Sequence, residues 1–325
     1  MAEATLHDDS DVLDVTTPAA GYAAGEVIQL ADGRAAYVCG LQAKTSGESA
    51  GLKTSGQVTL AKTASVVILD GDQVYWDRSA NTATPLRALA GADFPIGVAV
   101  GDAASADTSV VVDLNKKPVY TIDALRDPSD TVLVLTAGTP SLSIGPGYAK
   151  MAFSATAEAQ KVDILSKHSV PVDIPFIVEG ELNIVDSGDA AAAAVDINVG
   201  IASATHASDC DSIAESLFLH VDGADTNGAV NINAESDDGT TEVAATDTTV
   251  DFAAGTPFAF RFDCRDLTNV KIYINGVRVL SSSTFKLDAA TGPLKLLAHV
   301  EKGANDTLAD VRICKLAIRA TDLAA

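Results

Sequence analysis

The chain has 325 residues, 47% of them hydrophobic and only 5% aromatic, and a formal net charge of −22. That length suffices for two domains, each with its own core, and the apolar content excludes a disordered chain. The acidic excess runs through both halves, so the surface repels phosphate backbones and argues against direct nucleic-acid binding. A core of small and β-branched side chains favours strands over helices. Met1–Asp9 lacks the basic and apolar regions of a signal peptide, and the apolar run Ala190–Val195 is too short to span a bilayer. The expectation is a soluble protein made in a cytoplasm, with no membrane partner. Cys39, Cys210, Cys264 and Cys314 are widely spaced with no CxxC, which indicates neither a zinc site nor a disulfide framework. Cys264 and Cys314 fall in strand patterns and read as buried thiols.

Residues 1–20 are acidic, then rich in Thr, Pro and Ala, and read as an extended arm. From residue 21 to 115, short strand-like runs alternate with turn signals. They are Glu26–Leu30, Ala35–Gly40, Gly56–Ala61, Ser65–Leu69, Gln73–Trp76, Ile96–Val100 and Ser109–Leu114, with turns at Asp32-Gly33 and Asp70-Gly71. Pro85–Ala90 has room for one short helical turn. Residues 116–169 read as a connecting region. Within it Thr131–Thr136 is a strand, Gly138–Gly147 a linker or long loop, and Ala152–Ser166 a helix, because Ala157–Lys161 favours one locally.

From 170 to 325 apolar and polar residues alternate again. The runs are Pro175–Val185, Ala194–Ala202, Ser216–Val221, Ala229–Ala234, Thr248–Phe252, Phe258–Asp263, Val270–Ile274, Val277–Leu280, Leu294–Val300 and Val311–Ile318. Asn275-Gly276 predicts a type I′ hairpin, which needs φ > 0 at both central residues. Asp222-Gly223 and Asp238-Gly239 are further turns. The expected fold class is therefore all-β: a small β-rich N-terminal domain followed by an antiparallel β-sandwich.

Three pieces of residues 17–114 carry a resemblance. They are Thr17–Val27, Gly71-Asp72-Gln73-Val74-Tyr75-Trp76-Asp77, and Ile96–Ala99 with Val110–Leu114. In order and spacing this segment resembles the head decoration, or capsid cement, proteins of tailed phages. The resemblance implies a β-rich domain that sits as trimers on the outside of the head and staples neighbouring major capsid subunits. An N-terminal arm takes part in attachment. Phe258–Asp263 followed by Val270–Val277 resembles adjacent strands of concanavalin-like or laminin-G-like sandwiches, a jelly-roll architecture. That fold binds carbohydrate in many proteins and does not decide function.

Candidate chemistry is sparse. Gly47–Thr54 misses the phosphate-binding loop, having three residues between its glycines and Leu52 where the lysine belongs; it reads as an exposed turn. Asp222, Asp225, Asp237 and Asp238, with Glu242, cluster in two turns and are the calcium candidates. Their spacing matches no EF-hand, and Asp is common in turns for its backbone hydrogen bonds. His7, His168, His206, His220 and His299 are scattered without metal-ligand spacing. Residues 170–325 hold no Trp to serve as a sugar platform, which sets a polysaccharide-degrading enzyme third. The reading is a virion structural protein on the outer capsid surface, with the major capsid protein and itself, as a homotrimer, for partners. No catalytic residue and no cofactor is indicated. The alternative is a head-displayed adhesin whose sandwich binds glycans.

Overall fold

The computed structural model describes residues 12–87, 93–125, 131–145, 147–154, 157–188, 195–205, 210–222, 231–305 and 308–320. The chain divides into two compact units, Met1–Val119 and Tyr120–Ala325. The all-β expectation holds: among the described residues there are strands, turns and a single 3-10 turn, Cys210–Ser212.

The first unit has two antiparallel sheets. One contains β1 (Val12–Thr16), β2 (Val27–Gln29), β3 (Ala35–Val38) and β4 (Ser49–Lys53) in the order β1-β4-β3-β2. The other contains β5 (Gln57–Ala61), β6 (Gln73–Asp77), β7 (Thr82–Thr84), β8 (Phe94–Ala99) and β9 (Ser109–Leu114) in the order β5-β9-β8-β6-β7. Alternation in β6 turns Val74 and Trp76 into a core with Ile68, Phe94, Ile96, Val110 and Val112. The lone Trp is therefore a packing residue. The turn before it is pinned by side chains: Asp72 Oδ2 accepts from Leu69 N (2.8 Å), and Asp70 Oδ1 accepts from Gly101 N (2.7 Å). Asn115 joins the two sheets. Its Oδ1 accepts from Ala35 N (2.8 Å), and its Nδ2 donates to Ala35 O (2.9 Å) and Thr54 O (2.7 Å).

Several expectations for this unit need correction. The extended arm contains β1, which pairs with β4 along its whole length. Ser65–Leu69 is not a strand; only Ile68 forms a bridge, to Ala103. Pro85–Arg87 is non-helical, and the rest of that expected turn lies outside the described residues. Gly47 sits in an exposed turn as expected, but the Ser49–Lys53 stretch that follows is β4.

The second unit packs two larger antiparallel sheets on one core. Its strands are β10 (Ile122–Asp123), β11 (Thr131–Ala137), β12 (Ser141–Gly145), β13 (Tyr148–Phe153), β14 (Glu158–Ser166), β15 (Phe176–Asp186), β16 (Asp196–Ala202), β17 (Glu215–Asp222), β18 (Asn231–Asp238), β19 (Glu242–Asp251), β20 (Phe258–Cys264), β21 (Lys271–Ile274), β22 (Val277–Val279), β23 (Lys295–Asn305) and β24 (Ala309–Ala320). The first sheet runs β12-β13-β24-β15-β20-β21-β22, with β10 also on β24; the second runs β11-β14-β23-β16-β17-β18-β19. Phe176, Val178, Phe260, Phe262, Ile197 and Leu219 are among the side chains between them. Burying such side chains is worth about 1.5–3 kcal/mol each. The predicted hairpin is present: Asn275 and Gly276 have φ of 51° and 75°, and Ile274 pairs with Val277.

Residues 120–166, read from sequence as part of a connection, supply β10–β14 to this unit. Ala152–Ser166 is not a helix. Ala157 takes φ 58°, and beyond it Val162 and Ile164 alternate with Lys161 and Asp163, so pairing with β23 overrides the local helical preference. The expected loop at Gly138–Gly147 contains β12. Cys264 is buried as expected, whereas Cys314 is half-buried; all four thiols are free.

Candidate functional site

Strand alternation gives the second sheet of the sandwich an inner face on the core and an outer face opposite it. Val162, Ile164, Ala298, Val300, Ile197, Val199, Leu219 and Val221 point inward. Asp163, His299, Asn198 and His220 therefore point outward, and the pairing register sets them side by side: Asp163↔His299, His299↔Asn198, Asn198↔His220, His220↔Asn233. A second row, Lys161↔Glu301↔Asp196↔Asp222, lies next to it.

An outer face of this polarity belongs in water, yet Asp163 and Asn198 are fully buried and His299 nearly so. Part of the cover comes from the segment between β16 and β17. Cys210 and Ile213 pack on Phe218, Leu297, Ala202 and Leu165. That packing carries Asp211 to the rows.

Two subclusters result. In the first, His299 Nδ1 donates to Asp163 Oδ1, and its Nε2 faces Glu301 Oε2 at 3.4 Å. Lys161 closes an ion pair on Glu301. In the second, His220 Nε2 lies 3.2 Å from Asp196 Oδ1, and its Nδ1 lies 3.4 Å from Glu235 Oε2 and 3.6 Å from Asp211 Oδ2. Asn198 Nδ2 donates to both Asp196 Oδ1 (3.0 Å) and Asp211 Oδ1 (3.1 Å), fixing the two carboxylates relative to the ring.

Electrostatics follow from this crowding. Burial opposes a charge on His220, but hydrogen bonds to Asp196 and Glu235 outweigh it and raise its pKa to about 11. Burial likewise opposes charge on His299, and the bonds to Asp163 and Glu301 raise its pKa to about 9. Asp211 is pushed up to about 7, first by burial and then by the neighbouring Glu235 carboxylate. Burial and the surrounding carboxylates also push the Cys210 thiol up, so it is not a ready nucleophile.

A pH dependence follows. An unfolded imidazole titrates near 6.5, so folding at pH 7–9 takes up protons at His299 and His220. Their stabilisation is fully present below about 6.5; the His299 part is lost as pH rises through about 9. The Asp211 shift has the same sign over the range from about 4 to 7. Thermal melts of the second unit by circular dichroism are expected to show Tm falling by several degrees between pH 6.5 and 9. His299→Asn should flatten that slope; a Tm that rises over this range would contradict the assignment.

Of the calcium candidates, Asp225 and the side chain of Asp222 lie outside the described residues. Asp237 Oδ1 accepts from Gly239 N (2.7 Å), and Asp238 Oδ1 accepts from Thr240 N (2.9 Å) and Thr241 N (2.6 Å). Both carboxylates cap their own turn, and Glu242 follows as the first residue of β19. His7 and His206 lie outside the described residues. The structure brings together His220 and His299 with carboxylates that sequence spacing did not connect. Their one sequence signal is parity: Asp196-x-Asn198, His299-x-Glu301 and Asn233-x-Glu235 each mark a polar face.

Residues 7–114 match the family described as phage cement protein, a span that ends before the second unit begins at Tyr120. No curated protein matches the chain. Among solved structures, the Emp47p carbohydrate recognition domain is 14% identical with a TM-score of 0.42, covering 62% of this chain and 94% of that one. A legume lectin-like domain from Entamoeba histolytica is 10% identical with a TM-score of 0.44, covering 62% and 96%. LamAcat from Zobellia galactanivorans is 12% identical with a TM-score of 0.40, covering 61% and 94%.

Proposed function

We propose that this chain is a decoration protein of a phage head, attached to the major capsid protein through its first unit and acting as a homotrimer. The observation that carries the reading is the match of residues 7–114 to the phage cement family, nearly coextensive with the compact unit ending at Val119. A protein that binds only the assembled lattice lowers its free energy relative to dissociated subunits, by mass action. Threefold repetition converts the second and third contacts into intramolecular events, so weak individual contacts suffice. The acidic composition suits an outer surface facing solvent and does not favour packaged nucleic acid as a partner.

Under this proposal the second unit projects outward from the head or covers neighbouring capsid subunits. On the face bearing the polar rows, Phe218 is fully buried and offers no stacking platform for a sugar. That burial favours a structural role over glycan turnover.

Light scattering on the size-exclusion peak tests the trimer. The expected mass is three times the 33.3 kDa chain mass. A monomeric peak at all concentrations up to those that saturate heads would overturn the trimeric part of the proposal.

A further inference from the structure

The His220 cluster has the composition and spacing of a cation site, and we propose that it binds one divalent transition-series ion, of the zinc or manganese type, through Asp211, Glu235 and His220 Nδ1. Asp196 holds the ring by accepting the Nε2 proton. None of these residues is among the calcium candidates read from the turns.

Three observations carry the assignment. The first is distance. Oxygens of Glu235 and Asp211 stand 3.4 and 3.6 Å from His220 Nδ1, longer than a good charge-assisted hydrogen bond. Two ligands on one tetrahedral ion, each bonded at about 2.0–2.1 Å, stand about 3.3 Å apart. Each carboxylate is thus spaced from the ring nitrogen as two ligands of one ion are, and potential ligand atoms of Asp211 and His220 lie within 4.8 Å of each other.

The second is an unmet acceptor. Glu235 is 7% exposed, its carboxylate reaches His220, and its Oε1 has no hydrogen-bond partner. Asn198, fully buried between Asp196 and Asp211, likewise leaves its Oδ1 without one. Buried oxygens of this kind are costly without a proton or cation to face.

The third is charge. His220 sits among Asp196, Asp211 and Glu235, three carboxylates around one imidazole. Its neighbour cluster differs: there Lys161 and His299 both answer Glu301. Imidazole with carboxylate oxygens suits zinc or manganese, while calcium prefers an all-oxygen shell. The His220–Asp196 contact supplies the usual outer support of a ligating histidine, a ring N–H given to a carboxylate. Asp211 comes from the segment Cys210–Ser212 and the other ligands from β17 and β18, so the ion would clamp that segment to the sheet.

The test uses the untagged full-length chain, freed of metal by chelator and titrated calorimetrically at pH 7.5 with Mn²⁺ and, separately, Zn²⁺. Mn²⁺ controls for adventitious binding of zinc to the free thiols. The expected result is one saturable Mn²⁺ or Zn²⁺ site per chain. Protons should be released on binding, because His220 Nδ1 must give up its proton, and binding should weaken as pH falls. Asp211→Asn and Glu235→Gln should each weaken binding at least tenfold while circular dichroism stays unchanged. Absence of a one-to-one site in the folded chain would overturn the proposal. So would affinity that survives both substitutions, or selective binding of Ca²⁺ or Mg²⁺ instead.

Discussion

Replacing Glu179 with Ala is expected to destabilise the second unit by about 3–5 kcal/mol, the cost of breaking a buried ion cluster by removing one partner. Glu179 lies on β15 with its carboxylate pointing away from the sandwich core, yet it is only 2% exposed. It accepts from Arg319 Nε (3.1 Å) and Nη2 (3.0 Å), from Lys315 Nζ, and from Tyr120 Oη (3.3 Å). Lys315 also stacks over the Tyr120 ring at 4.8 Å. Burial pushes the Glu179 carboxyl up, but Lys315, Arg261 and Arg319 together hold it well below the usual carboxylate range. Without that carboxylate, the buried Arg261 and Arg319 and the neighbouring Lys315 lose a counter-charge that all three share. Glu179→Gln keeps the shape and one acceptor, so it should cost less than Ala but remain clearly destabilising. Urea unfolding by circular dichroism measures the loss, while Trp76 fluorescence reports the first unit and should not move. A change below about 1 kcal/mol for the alanine variant would show that the cluster is not a net stabiliser. The depressed carboxyl also fixes a sign: its contribution is present above about pH 4.5 and is lost as pH falls through the folded-state value.

Gly97→Ala is expected to cost the first unit about 3 kcal/mol and to abolish head binding with it. Gly97 sits in β8 between β6 and β9, with φ of 156°. A Cβ there would stand 2.1 Å from the Asp113 carbonyl oxygen and 2.9 Å from Val112 Cγ1. The first obstacle is backbone of a paired strand, so relief requires separating β8 from β9. Gln73 Nε2 also donates to the Gly97 carbonyl (2.8 Å), so the displacement reaches β6 and Trp76. Trp76 is the only Trp in the chain and reads this unit directly. Its fluorescence transition should move to lower urea while the second unit's circular dichroism transition stays in place. Wild-type stability in this variant would mean that the sheet has slack the structure does not show.

Local signals in the sequence translated well where a single turn or strand decides its own geometry. Asn275-Gly276 specified its hairpin because few residues other than Asn and Gly tolerate positive φ in succession. Gln73–Trp76 specified a strand with one buried face, and the core placement of Trp76 followed from parity. Ala152–Ser166 failed because five helix-compatible residues outweighed a weaker alternation whose partner, β23, lies more than 130 residues away. The His220 cluster was illegible for a related reason. Its members come from β16, β17, β18 and the Cys210–Ser212 turn, so register rather than spacing assembles it. Glu179 showed the same limit: its partners Lys315 and Arg319 lie on β24, 136 and 140 residues further along.

Attachment of the first unit to an assembled capsid lattice is the central claim. Its most direct measurement is electron cryomicroscopy of expanded, undecorated heads incubated with saturating full-length chain. The predicted result is added density at the local and icosahedral threefold positions, absent when Gly97→Ala replaces the wild type. Threefold positions left bare by the folded wild-type chain would contradict it.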